Sequence, residues 1–276
     1  MSPTGAASPQ QPAVPIRHRP SVTEMTDAEA AELRAAFAEL KEINDDRGYD
    51  YLAGIHGLPL PISCDQAHGQ PAFLPWHRAY LYRFELALRD TGHDVMLPWW
   101  DWLTVPEVPA AFSDEHGNSL FSATIDPQAL EQGARGEGEP GDEEEVRLAR
   151  YSETMREPGR PGTRLPSAAE IERIMSYADY TSFNTKIDDP HGMVHVWVGG
   201  HMGDIPFAAF DPIFWSHHCM LDRLWRMWQL RHSQASFPQD VASETMVPFN
   251  LTAGEVLDPT RLGYDYVIAS TSIPVA

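Results

Sequence analysis

The sequence predicts a mainly α fold: one helical domain whose helices are joined by long loops. Three observations point there. Capping signals stand ahead of apolar residues that recur every three or four positions. Histidines sit at helical spacing inside two such runs. No internal repeat of fixed period and no shift in composition marks a second unit, so residues 16–276 read as a single domain.

In chain order, residues 1–15 are rich in Pro, Ala, Ser and Gln and read as a disordered tail. The first helix lies in TEMTDAEAAELRAAFAELKEI. There Thr26 and Glu29 have capping-box spacing, and Leu33, Phe37 and Leu40 keep one apolar face. A Gly- and Pro-rich loop covers residues 54 to about 75. The next helix starts near Pro75 and Trp76 and runs to about residue 89, with Leu81, Phe84 and Leu88 continuing the face that His77 heads. LPWWDW, residues 97–102, is apolar and aromatic and belongs buried beside that helix. The acidic stretch GEGEPGDEEEVR, within residues 131–165, reads as a solvated surface loop. Ser167 and Glu170 open another capped helix, and two histidine-bearing helices follow. The second of these is expected over residues 212–231, with Asp211 as N-cap and Pro212 in its first turn.

Composition excludes several function classes. The 276 residues, 42% hydrophobic with eight tryptophans, suffice for a large core. A net charge of −20 argues against nucleic acid or an anionic membrane as partner, since both require clustered Lys and Arg. The first fifteen residues lack the charged start and apolar run of a signal peptide, and no segment approaches the roughly 18 apolar residues of a membrane span. The expectation is a cytoplasmic protein as translated, with export on a partner left open. Two cysteines, Cys64 and Cys219, build no disulfide framework.

Twelve histidines are present, and five fall between residues 191 and 218. His191 and His195 are four apart, so a helix puts both on one face, about 6 Å apart along the axis, where they can share a metal ion. His217 and His218 stand about 100° apart, so only one easily joins them. Asp222, four beyond His218, can orient a neighbouring imidazole, which favours His218. In the amino-terminal half, His77 heads its helix, His68 lies in the loop upstream and His56 ends the preceding segment. Three plus three histidines without a carboxylate pair or Cys-x-x-Cys suggest two all-imidazole sites, which suit copper, zinc, iron or nickel.

HGLPLPISCDQAHGQPAFLPWHRAYLYRFELAL, LPWWDW, HGMVHVWVGGHM and DPIFWSHHCMLDRLW resemble, in order, spacing and flanking residues, the tyrosinase family of type 3 copper proteins. That family comprises tyrosinases, catechol oxidases, o-aminophenol oxidases and the molluscan haemocyanin units, and the resemblance spans about residues 17–266. It implies a tyrosinase-like central domain: a four-helix bundle enclosing two copper ions that use dioxygen as co-substrate. Carried over position by position, it implies that His56, His68 and His77 hold the first copper, and His191, His195 and His218 the second. Asp222 and Arg223 match the Asp-Arg of the family motif, and His217 becomes a packing residue or a neighbour of the ligands. His201 falls at the pocket rim or surface, while His18, His93, His116 and His232 lie outside every motif and read as surface residues.

The activity implied is oxidation of o-diphenols or o-aminophenols to o-quinones or quinone imines, with weaker hydroxylation of monophenols. The alternative is a haemocyanin-like oxygen-binding protein without turnover. The position above the second copper that stacks on substrate in the family is Ile205 here, an opener entrance than an aromatic would leave. Hydroxylating members carry an asparagine after the first ligand of the second copper, and an upstream glutamate. Here those places offer Gly192 and the pair Asp188 and Asp189. Cys64 is read as a buried free thiol, or as thioether-linked to His68, or as paired with Cys219. Arg17 or Arg19 with Tyr264 and Tyr266 resembles the pair closing the family's central domain, and no carboxy-terminal lid domain is expected. Bacterial members commonly use a separate copper-loading helper protein, so one is a candidate partner beside a small phenolic substrate.

Overall fold

Thr26 caps the first helix as its spacing predicts. Its hydroxyl accepts the Glu29 N–H at 3.2 Å and the Glu29 carboxylate accepts the Thr26 N–H at 2.7 Å, opening α1 (Asp27–Lys41) with Leu33, Phe37 and Leu40 turned inward. A computed structural model describes residues 15–60, 67–113, 118–135 and 143–268. After α2 (Tyr49–Gly54) and the loop beyond it comes α3 (Phe73–Asp90), which begins two residues before Pro75. A first-turn N–H has no partner inside its helix, so a proline there loses nothing and need not mark the start. Ser167 and Glu170 make the second capping box, ahead of α6 (Ala168–Met175).

The acidic stretch departs from expectation. Residues 136–142 lie outside the described residues, but α4 (Pro127–Arg135) precedes them and α5 (Glu143–Leu148) follows. Glu145 and Leu148 are buried, so the EEEVR end is a packed helical turn rather than a solvated loop. Four glutamate and aspartate letters in a row hid an inward-facing pair three residues apart.

Two 19-residue helices follow: α7 (Tyr180–Val198), capped by the Asp179 carboxylate, and α8 (Ile213–Arg231). Asp211 accepts the Ile213 N–H at 3.1 Å and also takes the Arg156 guanidinium, so the cap serves one residue further from the helix than its position in the sequence suggested. The core lies where α3 meets α8, with Phe84 stacked on Trp215 at 3.4 Å between centroids and 11° between planes. Burying one such side chain stabilises the fold by roughly 1.5–3 kcal/mol. LPWWDW is buried, and its backbone ties two elements together: Trp99 N–H donates to Pro20 O, and Trp100 N–H to Ser216 O of α8. α9 (Gln239–Ala242) and a small hairpin of β2 (Thr245–Met246) and β3 (Leu251–Thr252) complete the chain's path back. Among the described residues no helix is long and apolar enough to cross a membrane.

The ends of the described chain meet in a parallel pair, β1 (Arg17–Arg19) with β4 (Tyr264–Tyr266). Arg19, not Arg17, is the buried partner: its Nη1 donates to Tyr266 Oη at 2.9 Å and its guanidinium lies 3.8 Å from the Tyr264 ring centroid, whereas Arg17 pairs with the exposed Asp94. Asp222 corrects a sequence expectation. Its carboxylate orients no imidazole; it accepts Arg78 Nε at 2.5 Å, Arg19 Nη1 at 3.2 Å, Tyr264 Oη at 2.7 Å and Tyr266 Oη at 2.6 Å. Two buried guanidiniums compete better for a desolvated carboxylate than a neutral ring does. Burial by itself would raise the Asp222 pKa, but Arg78 and Arg19, with the tyrosine hydroxyls, hold it below the usual carboxylate value.

Candidate metal centre

Four helices deliver histidines to one interior region. His56 stands just past α2, His77 on α3, His191 and His195 on α7, and His217 and His218 on α8, with His68 on the turn before α3. They form two groups. One ring nitrogen from each of His56, His68 and His77 lies within 4.8 Å of the others, and the same holds for His191, His195, His217 and His218. The groups adjoin: His77 and His218 stack at 4.4 Å with 9° between planes, and His68 meets His191 edge-on at 5.3 Å. Phe73 packs against both His77 and His191 at 4.9 Å, and Phe214 against His56 and His218.

Hydrogen bonds on the outer nitrogens set the tautomers. His56 Nδ1 faces Ile205 O at 3.2 Å, His77 Nδ1 faces Phe73 O at 2.9 Å, His195 Nδ1 faces Met202 O at 2.8 Å, and His191 Nδ1 faces Asp188 Oδ1 at 3.1 Å. Each partner is an acceptor, so each Nδ1 carries the proton and each Nε2 presents a lone pair inward. Burial pushes the pKa of His56, His77, His191, His217 and His218 well below the ordinary imidazole value, with neighbouring imidazoles adding to it, and takes His195 down to about 4. The rings are therefore neutral near pH 7. Yet His195 Nε2 stands 2.9 Å from His191 Nε2 and 3.3 Å from His218 Nε2, and the buried Nε2 atoms of His56 and His77 meet no hydrogen-bond donor. Lone pairs turned toward one another in a buried interior call for a cation between them. The donor set fits copper.

The remaining sequence-predicted residues are placed as follows. His217 is fully buried and belongs to the second group in space. It stacks parallel to His191 at 5.5 Å and approaches the His191 backbone without completing a hydrogen bond. His201 is neither rim nor surface: it is buried, its Nδ1 accepting the Met155 N–H at 3.0 Å and its Nε2 donating to Leu148 O at 3.1 Å. His18 is exposed, His93 binds Glu32 and Glu39 at the surface, and His232 donates to Met175 O. Ile205 turns its side chain outward, 49% exposed, while its carbonyl holds His56. Gly57 makes that seat available, because a Cβ there would meet the Pro206 backbone at 2.4 Å. At Gly192 a Cβ would meet nothing within 4 Å. Asp188 is engaged at both oxygens, by His191 Nδ1 and by the Gly69 N–H at 3.1 Å, and Asp189 beside it is exposed. Cys219 is buried next to Arg19, and burial pushes its thiol pKa up. Cys64, with its thioether or disulfide, and His116 lie outside the described residues.

The double engagement of Asp188 and the nearness of His217 escaped sequence reasoning. A usable signal existed for the first: Tyr180, Asn184, Asp188 and His191 share one face of α7.

Comparison with known proteins decides the family. The model for the common central domain of tyrosinase matches residues 46–231, more than half of the chain. The chain belongs to the tyrosinase family of type 3 copper proteins. It is 31% identical over 264 residues to the tyrosinase of Streptomyces antibioticus, covering 84% of this chain and 94% of that one. It is 28% identical over 280 residues to an A-type haemocyanin of Enteroctopus dofleini, covering 90% of this chain and 21% of that multi-unit polypeptide. The chain thus spans about a fifth of that haemocyanin's length. In structure it is similar to a functional unit of octopus haemocyanin, with a TM-score of 0.74 at 26% identity over 91% of this chain and 68% of that one. The family binds two copper ions and dioxygen, and the two histidine groups are built to hold metal.

Proposed function

We propose that the chain is a copper oxidase that uses dioxygen to oxidise o-diphenols or o-aminophenols, with His56, His68 and His77 holding one copper and His191, His195 and His218 the other. When bound, the copper pair supplies dioxygen binding and the electron transfer that oxidises the phenol. The chain's own residues do the rest. Carbonyls of Ile205, Phe73 and Met202 and the Asp188 carboxylate fix four imidazoles with Nε2 inward. Phe73 and Phe214 keep water from the rings.

The observation that supports oxidation over oxygen storage is open ground beside His191 of the second group and His56 of the first. Gly192 leaves space where a side chain would stand, and Ile205 presents an aliphatic edge to solvent, so an aromatic ring has somewhere to lie. The same glycine supports the preference for o-diphenols. A monophenol, with a pKa near 10, must lose its proton to bind as phenolate. Gly192 has no side chain to hold a water for that purpose, and both Asp188 oxygens are already engaged. The test is oxygen consumption over monophenols, catechols and o-aminophenols at measured copper content. Turnover of catechols above monophenols supports the reading. Reversible oxygenation with no catechol turnover replaces it with the haemocyanin-like alternative, which the 28% identity to octopus haemocyanin keeps as the second reading.

A further inference from the structure

α7 holds the turn that carries His68 by a ladder of side chains one helical turn apart. The Tyr180 hydroxyl lies 2.7 Å from Pro71 O and 2.9 Å from Asn184 Oδ1, sharing its proton between them. Asn184 Nδ2 donates to Gln70 O at 2.9 Å and its Oδ1 accepts the Leu74 N–H at 3.3 Å. Asp188 ends the ladder: Oδ2 accepts the Gly69 N–H at 3.1 Å, and Oδ1 accepts His191 Nδ1–H at 3.1 Å. Gly69 follows His68 directly and has φ +68°. One carboxylate thus touches a member of the second histidine group on one side and the peptide after a member of the first on the other.

We propose that Asp188 is a positioning residue that couples the two metal groups, holding the His191 ring and the His68 turn in the geometry each needs, so that metal in either group favours metal in the other. Both contacts demand acceptors, because each partner is an N–H. A carboxylate offers an acceptor at each oxygen. Asparagine offers one oxygen and one NH2, so it satisfies one partner and sets a donor against the other. Aspartate is therefore the shortest side chain that serves both ends, and the rigid helix beneath it makes the two contacts interdependent: displacing the His191 ring displaces the acceptor of Gly69. Partners of metal-bound imidazoles set affinity by about tenfold to a hundredfold, and the first group is reached here only through the backbone of its turn.

The proposal rests on the reading that both groups bind copper, and the experiment separates the two. Copper-free protein is titrated with Cu(I) under anaerobic conditions against a chromophoric chelator. Two Cu(I) per chain in the unaltered protein uphold the dicopper reading whatever the variants do, and one or none removes both claims. His195→Ala leaves the first group to report alone, and His77→Ala leaves the second. In each background Asp188→Asn is expected to weaken Cu(I) binding by about tenfold or more. Asn184→Ala, which loosens the same turn without touching His191, is expected to weaken the first group and leave the second within twofold. Melting of the copper-free Asp188→Asn protein provides the readout that a merely structural role would move in parallel; here affinity falls while melting stays near that of the parent. Unchanged first-group affinity in Asp188→Asn/His195→Ala shows that Asp188 acts through His191 alone and overturns the coupling. Unchanged first-group affinity in Asn184→Ala overturns it as well, since the ladder then does not set the turn.

Discussion

Replacing Asp222 with asparagine keeps the shape of a buried side chain and removes its charge. In the parent, that carboxylate receives Arg78 Nε, Arg19 Nη1 and the hydroxyls of Tyr264 and Tyr266, with both arginines wholly buried. Neutralising one partner of a buried ion pair costs about 3–5 kcal/mol, because the other charge stays desolvated. The lower end applies here. Arg19 retains Glu85 at 3.0 Å, and Arg78 retains the carbonyls of Val256 and Leu257, so neither cation is stranded. At about 2–4 °C per kcal/mol for a domain somewhat smaller than this one, a loss near 3 kcal/mol lowers Tm by roughly 6–12 °C. The assay is calorimetry of the copper-free protein at pH 7. Its pH dependence supplies a second check. The folded pKa of Asp222 lies below its unfolded value, so the stability it contributes is full above about pH 4 and is lost as pH falls through the folded value. The gap in Tm between parent and Asp222→Asn is therefore constant from pH 7 to 5 and narrows below pH 4. A gap under about 2 °C at pH 7, or one that does not narrow in acid, refutes the claim that this charge cluster clamps β1 and β4 to the core.

Three further predictions concern the site and its supports. His195→Ala removes a proposed ligand of the second copper, so copper per chain falls from two toward one and oxidase activity is abolished while the copper-free fold persists; near-parental catechol oxidation refutes the ligand assignment. Gly192→Asn enters open space on a helix, where asparagine is a slightly better helix former than glycine, so folding is unharmed. Its ratio of initial rates on tyramine to the matching catechol rises, and an unchanged ratio at equal copper content shows that Gly192 does not limit hydroxylation. His201→Ala strands the Met155 N–H and the Leu148 carbonyl, each worth about 1–3 kcal/mol when left unpaired, and so lowers Tm by at least about 4 °C. Its turnover per copper stays at the parental value, whereas a pocket-rim role would change KM.

The parts of this protein legible in its sequence are those governed by short-range rules. Thr26 with Glu29, and Ser167 with Glu170, needed only a three-residue spacing to announce α1 and α6. His191 and His195 needed only a four-residue spacing to share a face. The gathering of His56 and His68 with His77 followed from no local rule, since His56 and His68 lie outside the helix that carries His77; the resemblance to a known family supplied it. His201 was misplaced for the same reason. Its partners, Met155 and Leu148, are 46 and 53 residues away, and nothing in GGHM shows which backbone groups will close over the ring.

Asp188 and Asp222 show where spacing stops being informative. Each is within one helical turn of a histidine, at three and four residues, and helical geometry lets either carboxylate reach toward its neighbour's ring. Only Asp188 bonds an imidazole. The difference lies in what else each aspartate meets. The α8 face bearing Asp222 looks onto Arg19 and Arg78, brought from β1 and α3, and a buried carboxylate pairs with cations before it pairs with a neutral ring. Among the described residues Asp188 on α7 bonds no arginine but accepts the Gly69 N–H, so its other oxygen is left for His191. Which aspartate serves the metal centre was therefore decided by where two arginines came to be buried, a property of the assembled core that no window of the sequence contains.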